Sequence, residues 1–479
     1  MGARAIILTA VFIVSIALII ISLNREKSVL AEATSWPGLT LDPADRLLVL
    51  APHPDDEVLG CGGVIQQAVA MKLPVQIVFL TYGDFYEWSF IRYEKRPVLT
   101  PRGVKGMGEI RHGEALVADA ILGVPGADLL FLGYPDFGTL KMWEAAWGQA
   151  RPVRGMLSRA TAVPYPDAYR PGASYKGEEV LQDLTAILRG YRPTKIFVSH
   201  PADHHPDHRA FYLFMRVALF DLAPELRPEV YPYLVHYTKW PAPFGRRRGE
   251  PLEPPAFLRD RIAWQIAGLD TRQVSLKADA LKKHKTQYET TPKFLDSFVR
   301  RSELFGDFPP IALSRPGATP PGTGREATEQ EPATEEERAH LVRAVTWSVQ
   351  IEGETEPQTP GTASGNATLV FAVQLGRPLA KEVGCSVYLF GHCRDTPFAE
   401  MPKLHVALGE FTHHVFDGER RIASQEIRVQ RSGRTIVIRV PLSMLRQPQR
   451  VLATAQLHAG LIPLEWTAWR IFELDATTR

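Results

Sequence analysis

The stretch that decides the fold is an apolar run followed by a histidine and three carboxylates, Leu47-Leu48-Val49-Leu50-Ala51-Pro52-His53-Pro54-Asp55-Asp56-Glu57. The apolar run predicts a buried strand, and the residues after Glu57 have a helical pattern. Pro54 disfavours a helix at His53, so the segment between strand and helix opens as a loop. Ligands of open α/β sheets bind at the carboxyl ends of strands, so the sequence places His53 and the carboxylates where a site is expected.

A second histidine-rich stretch follows another apolar run, Lys195-Ile196-Phe197-Val198-Ser199, and reads His200-Pro201-Ala202-Asp203-His204-His205-Pro206-Asp207-His208. If the two predicted strands are parallel neighbours, the two stretches meet at one edge of the sheet. Histidine nitrogen and aspartate oxygen both bind zinc, and a catalytic zinc usually keeps three protein ligands. We therefore predict a divalent-metal hydrolase whose ligands are His53, Asp56 and His208.

The groups beside these ligands suggest acid–base chemistry. Asp55 is placed to take a proton from a metal-bound water, although it would also serve as a plain helix cap. Glu57 either supports the ligands or caps the helix. A protonated His205 would stabilise an oxyanion or assist a leaving amine, and Asp207 is suited to hold its imidazole and raise its pKa.

The pattern around both stretches alternates strands and helices from Arg46 to about Pro310. We predict strands at 46–51, 75–81, 128–132, 194–199 and 231–237, and helices near 61–72, 107–121, 177–190, 208–222, 271–286 and 292–303. This order predicts a Rossmann-like α/β domain with a layered, mostly parallel sheet over residues 43–311. Two long insertions interrupt it, Asp84–Met107 and Phe137–Lys176. The first contains Trp88, for which we predict stacking on a sugar ring at the substrate mouth.

The remainder of the chain has a different texture. Residues 312–338 are rich in Pro, Thr, Gly and Glu, which is typical of a linker. Residues 339–479 contain short apolar runs separated by turn residues, which predicts a β-rich, sandwich-like domain. We expect this domain to contact glycan or protein partners and to be dispensable for the chemistry; the alternative is a domain that simply stabilises the core.

The bulk composition excludes some classes of protein. At 479 residues, two domains are expected. Lys and Arg number 55 against 53 Asp and Glu, a net charge of +2 that gives no global field for nucleic acid. No Gly-x-Gly-x-x-Gly follows the first strand, which disfavours a nucleotide-binding protein. The three cysteines are too few for a disulfide framework.

The amino-terminal end carries an apolar run from Ile6 to Leu23, about as long as a bilayer-spanning helix. We predict that residues 1–27 form a single transmembrane anchor, which places the protein at a membrane. The alternative is a signal segment cleaved near Ala33, because Ala31-Glu32-Ala33 resembles a cleavage site, and a secreted protein would result. Balanced flanking charges leave the side of the membrane open.

Five stretches together carry a family resemblance, and they occur in the order His53-Pro54-Asp55-Asp56-Glu57 with Gly60-Cys61-Gly62-Gly63, Arg111-His112-Gly113-Glu114-Ala115, Gly133-Tyr134-Pro135-Asp136, His205-Pro206-Asp207-His208 and Lys283-His284-Lys285-Thr286-Gln287. Residues 43–311 resemble the PIG-L/LmbE-like zinc-dependent N-acetylglucosaminyl deacetylase family. The resemblance does not extend to the amino-terminal run or to the β-rich domain.

The resemblance implies a role for each matching residue. It implies a zinc ion on His53, Asp56 and His208, with another divalent metal such as Fe²⁺ as an alternative. It implies Asp55 as general base, His205 as the electrophilic or acid histidine and Asp207 as its orienting partner. By the same resemblance, Arg111 and Asp136 hold sugar hydroxyls.

The implied reaction is removal of the acetyl group from an N-acetylglucosamine-type sugar on a glycolipid, glycoside or polysaccharide. One alternative is an amidase that cleaves a larger sugar-linked amide. Another is a catalytically inactive, membrane-anchored glycan-binding protein, which the intact set of candidate ligands and the spare aspartate disfavour.

Overall fold

A computed structural model describes residues 36–85, 100–223, 225–313, 322–324, 344–352, 367–376, 378–379, 383–423, 425–460 and 462–474. Within these ranges, no helix combines the length and apolar character needed to cross a bilayer. The predicted membrane segment 1–27 lies outside the described residues, and so does Trp88.

The first sheet is parallel throughout and has the order β3-β2-β1-β4-β5. Its strands are β1 (Leu47–Ala51), β2 (Val75–Phe79), β3 (Leu129–Phe131), β4 (Lys195–Ser199) and β5 (Glu229–Tyr233). All residues of β1 and β4 are buried, as expected for central strands covered on both faces. The predicted parallel α/β fold is confirmed, and the order of the strands reverses between β1 and β4.

Apart from α3, the larger helices of this domain also follow the predicted pattern. They are α1 (Asp56–Ala70), α2 (Pro101–Leu122), α3 (Thr139–Ala145), α4 (Gly177–Tyr191), α5 (Pro206–Leu222) and α6 (Thr271–Leu281). Helix α3 and its position within the second insertion were not predicted.

The predictions after residue 270 are partly wrong. The helix expected over 271–286 ends at Leu281, and short helices α7 (Lys285–Tyr288) and α8 (Pro292–Asp296) follow. The helix expected over 292–303 is replaced at its end by β7 (Ser302–Phe305), which pairs antiparallel with β6 (Gln265–Gly268). All four residues of β7 are buried, and a short buried run fits a strand as well as a helix in sequence.

Helix α1 is fixed against its surroundings by close approaches and one buried ion pair. A Cβ atom at Gly60 would collide with the ring of Tyr233, so only glycine allows this approach. The Glu303 carboxylate accepts hydrogen bonds from the amides of Gly63 and Val64, at 2.7 and 2.9 Å, and pairs with Lys277 Nζ at 2.6 Å. These contacts hold the start of α1, and therefore Asp56, in one place.

The carboxyl-terminal region is a sandwich of two sheets. One sheet has the order β16-β17-β11-β10-β9, and the other has the order β15-β14-β13-β12-β18-β20-β8 with β19 on β18. The strands from β10 onward are β10 (Ala344–Glu352), β11 (Thr368–Leu375), β12 (Val383–His392), β13 (Lys403–Leu408), β14 (His413–Asp417), β15 (Arg420–Ile422), β16 (Arg428–Ser432), β17 (Thr435–Pro441), β18 (Arg450–Ala459), β19 (Ile462–Trp466) and β20 (Arg470–Leu474). Phe371 on one sheet and Leu389 on the other belong to one buried core, so the predicted β-rich domain is confirmed.

The predicted linker 312–338 contains strands at two places. β8 (Ile311–Leu313) pairs parallel with β20, and β9 (Gly322–Gly324) pairs antiparallel with β10. The chain therefore enters the second domain at Ile311, before the expected boundary. Composition did not reveal this, because strand pairing depends on a partner more than 150 residues away.

The two domains meet through a cluster of aromatic side chains. Trp143 of α3 lies with its ring centroid 5.3 Å from that of Phe398, 5.6 Å from that of Phe390 and 5.8 Å from that of Trp469. Trp143 and Trp469 are fully buried, so the domains share one apolar interface. Removal of the second domain would expose this cluster, and its dispensability for the chemistry stays a prediction.

Candidate metal and catalytic site

The predicted ligands come together where the strand order reverses. His53 and Asp56 follow β1, and His208 lies in the first turn of α5 after β4. Asp56 Oδ2 is 3.1 Å from His53 Nδ1 and 3.1 Å from His208 Nε2. All three side chains are buried. Parallel neighbouring strands thus bring two distant stretches to one point, as the sequence predicted.

The donor set fits a divalent cation. Three overlapping groups of potential ligands occur in the described part of the chain, and their ligand atoms lie within 4.8 Å of one another: His53, His205 and His208; His53, Asp136, His205 and Asp207; and Asp56, His208 and His236. Neither ring nitrogen of the fully buried His208 makes a hydrogen bond of good geometry. A buried imidazole without such bonds, facing carboxylates, is typical of a metal ligand.

The ionisable groups of the site shift one another's pKa values. Burial alone would raise the pKa of Asp56, but the imidazole of His208 and then that of His53 hold it well below its ordinary value. Burial alone would lower the pKa of His208, but Asp203 and Asp56 raise it to about 9. Asp56 is therefore an anion at neutral pH, which is the state that binds a metal.

Asp55 stands beside the ligands in an unusual backbone conformation. Its φ of 126° is rare for a residue with a side chain, and such strain is common at functional sites. Its side chain makes no capping hydrogen bond to α1, so the plain helix-cap interpretation does not hold. Burial raises the pKa of Asp55 to about 7, against the opposing effect of Arg111, whose guanidinium is 3.4 Å away. A carboxylate with a pKa near neutrality is suited to accept a proton.

Glu57 stabilises this backbone conformation of Asp55 by accepting its amide hydrogen. Its Oε2 accepts the Asp55 amide hydrogen at 2.8 Å, and its Oε1 lies 3.0 Å from His284 Nε2. Burial alone would lower the pKa of His284, but Glu57 raises it. The sequence pointed to His284 only through the family resemblance, and its ion pair with Glu57 depends on a contact across 227 residues.

His205 is close to the ligands, but the expected support from Asp207 is wrong. His205 Nδ1 is 3.9 Å from the Asp207 carboxylate and instead accepts the backbone N–H of Asp207 at 3.3 Å. Burial, together with His53 and His208, holds the pKa of His205 well below its ordinary value. The acceptor role of Nδ1 leaves the ring proton on Nε2, so a neutral His205 presents an Nε2–H donor.

The Asp207 carboxylate lies 3.3 Å from His53 Nε2, and it also holds the loop before α3. Its Oδ2 accepts the Phe137 amide at 2.6 Å, and its Oδ1 accepts the Thr139 amide at 3.0 Å and the Thr139 hydroxyl. This loop follows Asp136, so Asp207 shapes the side of the site where a substrate is expected.

The two residues predicted to hold sugar hydroxyls differ in what they contact. The Arg111 guanidinium donates to the carbonyl oxygens of Gly83 and Pro54, at 2.8 and 2.6 Å, so it positions backbone around the site, and its contact with a sugar stays a prediction. Asp136 Oδ2 accepts the Phe85 amide at 2.8 Å, and its Oδ1 is 3.2 Å from His53 Nε2. Asp136 therefore lies at the ligand cluster itself.

Two further residues complete the site. Asp203 Oδ2 lies 3.2 Å from His208 Nδ1 and accepts the amides of Val235 and His236, and the neighbouring histidines help to lower the pKa of Asp203 to about 2, against the effect of burial. The His236 ring centroid lies 4.9 Å from that of His208. Asp203 stands inside the quoted histidine-rich stretch, whereas His236 has no motif around it.

Comparisons with known proteins agree with this geometry. Residues 48–219 match the family model described as PIG-L: GlcNAc-PI de-N-acetylase. A relative from Saccharopolyspora erythraea, 1D-myo-inositol 2-acetamido-2-deoxy-alpha-D-glucopyranoside deacetylase 1, is 34% identical over 38% of this chain and 55% of its own length. A deacetylase for the same compound from Streptomyces avermitilis is 29% identical over 46% of this chain and 67% of its own length. The chain thus matches about half of the first relative and two thirds of the second.

Among solved structures, the N,N'-diacetylchitobiose deacetylase from Pyrococcus horikoshii is 23% identical. The likeness covers 55% of this chain and 82% of that chain, with a TM-score of 0.35.

Proposed function

Starting from an α/β domain that belongs to the PIG-L family, we propose that this protein is a zinc-dependent hydrolase that removes the acetyl group from an N-acetylglucosamine-type sugar. The observation that carries the proposal is the pair of neighbouring carboxylates after β1. Asp56 lies 3.1 Å from both histidine ligands, while the neighbouring Asp55 lies 3.4 Å from the Arg111 guanidinium and has a pKa near 7. The Asp56 carboxylate is therefore suited to bind a cation, and the Asp55 carboxylate is suited to accept a proton.

The residues of the site divide the proposed reaction among them. A divalent cation on His53, Asp56 and His208 would polarise the amide carbonyl and activate a water. Asp55 takes the proton of the attacking water. The Nε2–H of a neutral His205 donates to the oxygen that becomes negative, which is an oxyanion-stabilising role. The proton on Asp55 is then available to the departing amine, so acetate and a free amino sugar result.

The experiment is acetate release from purified protein reconstituted with zinc. The substrate panel contains 1D-myo-inositol 2-acetamido-2-deoxy-α-D-glucopyranoside, N,N'-diacetylchitobiose, an N-acetylated lipid-linked sugar and the same sugar with a longer acyl chain. We expect acetate from at least one acetylated sugar, at a rate lower by on the order of 10²–10⁴ in the Asp55→Asn variant. Release of the longer carboxylate, with no acetate from any acetylated sugar, would replace the deacetylase with an amidase, and zinc binding without any turnover would support a glycan-binding protein.

For localisation, we propose a single amino-terminal membrane anchor within residues 1–27, on the basis of the apolar run Ile6–Leu23. A lipid-linked or cell-surface glycan would then be within reach of the site. Removing residues 1–34 is expected to release the protein from membranes with its activity intact. Continued sedimentation with membranes at high salt would contradict the anchor.

The long insertion Asp84–Met107 is proposed as a wall of the substrate mouth, because it follows β2 at the same edge as the ligands. Trp88→Ala is expected to raise KM for glycans more than for a small acetamide. An equal effect on both would argue against stacking on sugar.

A further inference from the structure

Trp466 of the carboxyl-terminal domain contacts the histidine-rich loop of the first domain. This residue ends β19, and its half-buried ring meets the ring of His204 edge-on, with 5.7 Å between centroids. The guanidinium carbon of Arg209 lies 4.7 Å from the centroid of the same ring. One indole therefore contacts residues on both sides of His205 and His208.

Arg209 is poorly provided with other partners. It is buried, and its Nε makes no hydrogen bond within the described residues. Burial lowers the pKa of Arg209 to about 10, although Glu144 opposes the shift. A buried guanidinium over an indole face gains a cation–π attraction that is larger away from water. Trp466 is thus one of the contacts that hold this side chain in place.

His204 and Arg209 are each joined directly to the catalytic segment. Arg209 donates its amide hydrogen to the His205 carbonyl at 3.3 Å, and His204 donates its own amide to the His236 carbonyl at 2.7 Å. His204 Nδ1 also lies 3.1 Å from the Thr238 hydroxyl. A shift of either side chain therefore moves the backbone that presents His205 and His208.

A second contact ties the same part of the β domain to the first domain. Gln456 of β18 pairs in register with Trp466, and its Nε2 donates to Glu144 Oε1 at 2.9 Å. Glu144 is at the end of α3, behind the loop that Asp207 holds. Gln456 and Trp466, which are neighbours across two paired strands, therefore contact the first domain at Glu144 and at His204.

We propose that Trp466 is a positioning residue that clamps His204 and Arg209, so that the carboxyl-terminal β domain is part of the unit that holds the metal ligands and His205. The inference concerns the geometry of the ligand loop, and it rests on the proposed function only where turnover is measured. A domain that merely adds stability would not change the affinity of the site for a metal in the folded protein.

The experiment measures zinc affinity by competition with a chromogenic chelator in the full-length protein, together with kcat and KM for acetate release. Trp466→Leu keeps apolar volume but removes the aromatic face, and Trp466→Phe restores a ring. We expect Trp466→Leu to weaken zinc binding by about 10-fold and to lower kcat by a similar factor with little change in KM, which is the usual scale for residues that orient ligands. Trp466→Phe is expected to recover most of both.

The control is Phe411→Ala, which removes an exposed aromatic ring of the same domain. Its zinc affinity and kcat should equal those of the wild type. A folded Trp466→Leu protein with wild-type zinc affinity would overturn the inference while leaving the deacetylase proposal intact. Weakened zinc binding in a protein whose wild type releases no acetate from any sugar would keep the inference and overturn the proposed function.

Discussion

The two domains of this protein use buried polar groups in opposite ways. In the α/β domain, ionisable side chains gather at the carboxyl ends of β1 and β4. There, Asp56 Oδ2 lies within hydrogen-bonding distance of both His53 and His208. In the β sandwich, the core between the sheets is apolar, with residues such as Phe371, Leu389 and Val406. The first domain concentrates charge at one edge, and the second concentrates apolar area between its faces.

The difference reflects the connections of the strands. Parallel strands end together at one edge, and each is followed by a loop that can carry polar groups and a helix that covers the sheet. Antiparallel strands turn back at once, so their buried residues serve mainly to pack the two sheets. Substitutions at the ligand edge of the first domain should therefore change chemistry more than stability, and substitutions in the apolar core of the second should do the reverse.

The largest effect is expected at the two neighbouring aspartates. Asp56→Ala removes a ligand, so zinc content and activity should fall together. Asp55→Asn keeps the shape of the side chain but cannot accept a proton, so it should keep zinc and lose on the order of 10²–10⁴ in kcat. Metal analysis and acetate release on the same preparations give both quantities. Loss of zinc from Asp55→Asn with retention in Asp56→Asn would invert the assignment.

The next effect is expected at the interface between the domains. Trp469 is fully buried against Trp143, and its replacement by Ala should lower the free energy of unfolding by about 3–5 kcal/mol. Urea denaturation measures this value, and Phe411→Ala should change it by less than about 0.5 kcal/mol. A chain that ends at Pro316 should aggregate, because β8 loses β20 and the aromatic cluster is exposed. A soluble, active chain of that length would show that the first domain needs no second one.

A smaller effect on catalysis is expected at Asp207. Asp207→Asn weakens the charged acceptor that holds the Phe137 and Thr139 amides, an interaction on the order of 1.5–3 kcal/mol. The loop beside Asp136 should loosen, so KM should rise about 10-fold or more while the pH profile keeps its shape. Thr139→Ser, which keeps the hydroxyl, is the matched control. A shift in the basic limb of the pH–rate profile with unchanged KM would instead support the role that the sequence suggested for Asp207, the orientation of His205.

A further effect, on the pH dependence of stability, concerns Lys403, a buried lysine at the domain interface. Burial lowers the pKa of Lys403 to about 7, and its Nζ donates to the carbonyls of Phe398 and Met401. Between pH about 7 and about 10.4 the unfolded chain holds a proton that the folded chain lacks, so folding stability rises with pH in that window. Below pH 7 both states are protonated, and the cost of burying the charge is constant.

Lys403→Met removes this dependence. The stability of the wild type relative to the variant should therefore increase from pH 7 to pH 10, by up to about 1.4 kcal/mol per pH unit. Urea denaturation at four pH values checks the trend, with Lys141→Met on the exposed side of α3 as control. A constant difference between wild type and Lys403→Met across the window would mean that Lys403 stays charged when buried.

Much of the site was accessible from sequence because its elements are local. His53 and Asp56 are three residues apart across a strand-to-helix turn, and His208 follows a second buried strand by the same logic. The alternation of strands and helices then required those two strand ends to be close. The metal-ligand set and the spare carboxylate of Asp55 needed no further information, although only the structure excluded a capping role for Asp55.

The tertiary structure decided what depends on register and on contacts between distant residues. It showed that the Asp207 carboxylate binds the loop at Thr139, whereas the sequence had suggested that Asp207 orients His205. It also showed that the Arg111 guanidinium donates to backbone carbonyls. It placed Asp203 behind His208, His236 beside it, and Trp466 of the second domain against His204. The pattern of a strand determines which of its residues share a face. Which side chain of another domain reaches that face depends on packing, and packing is a property of the whole folded chain.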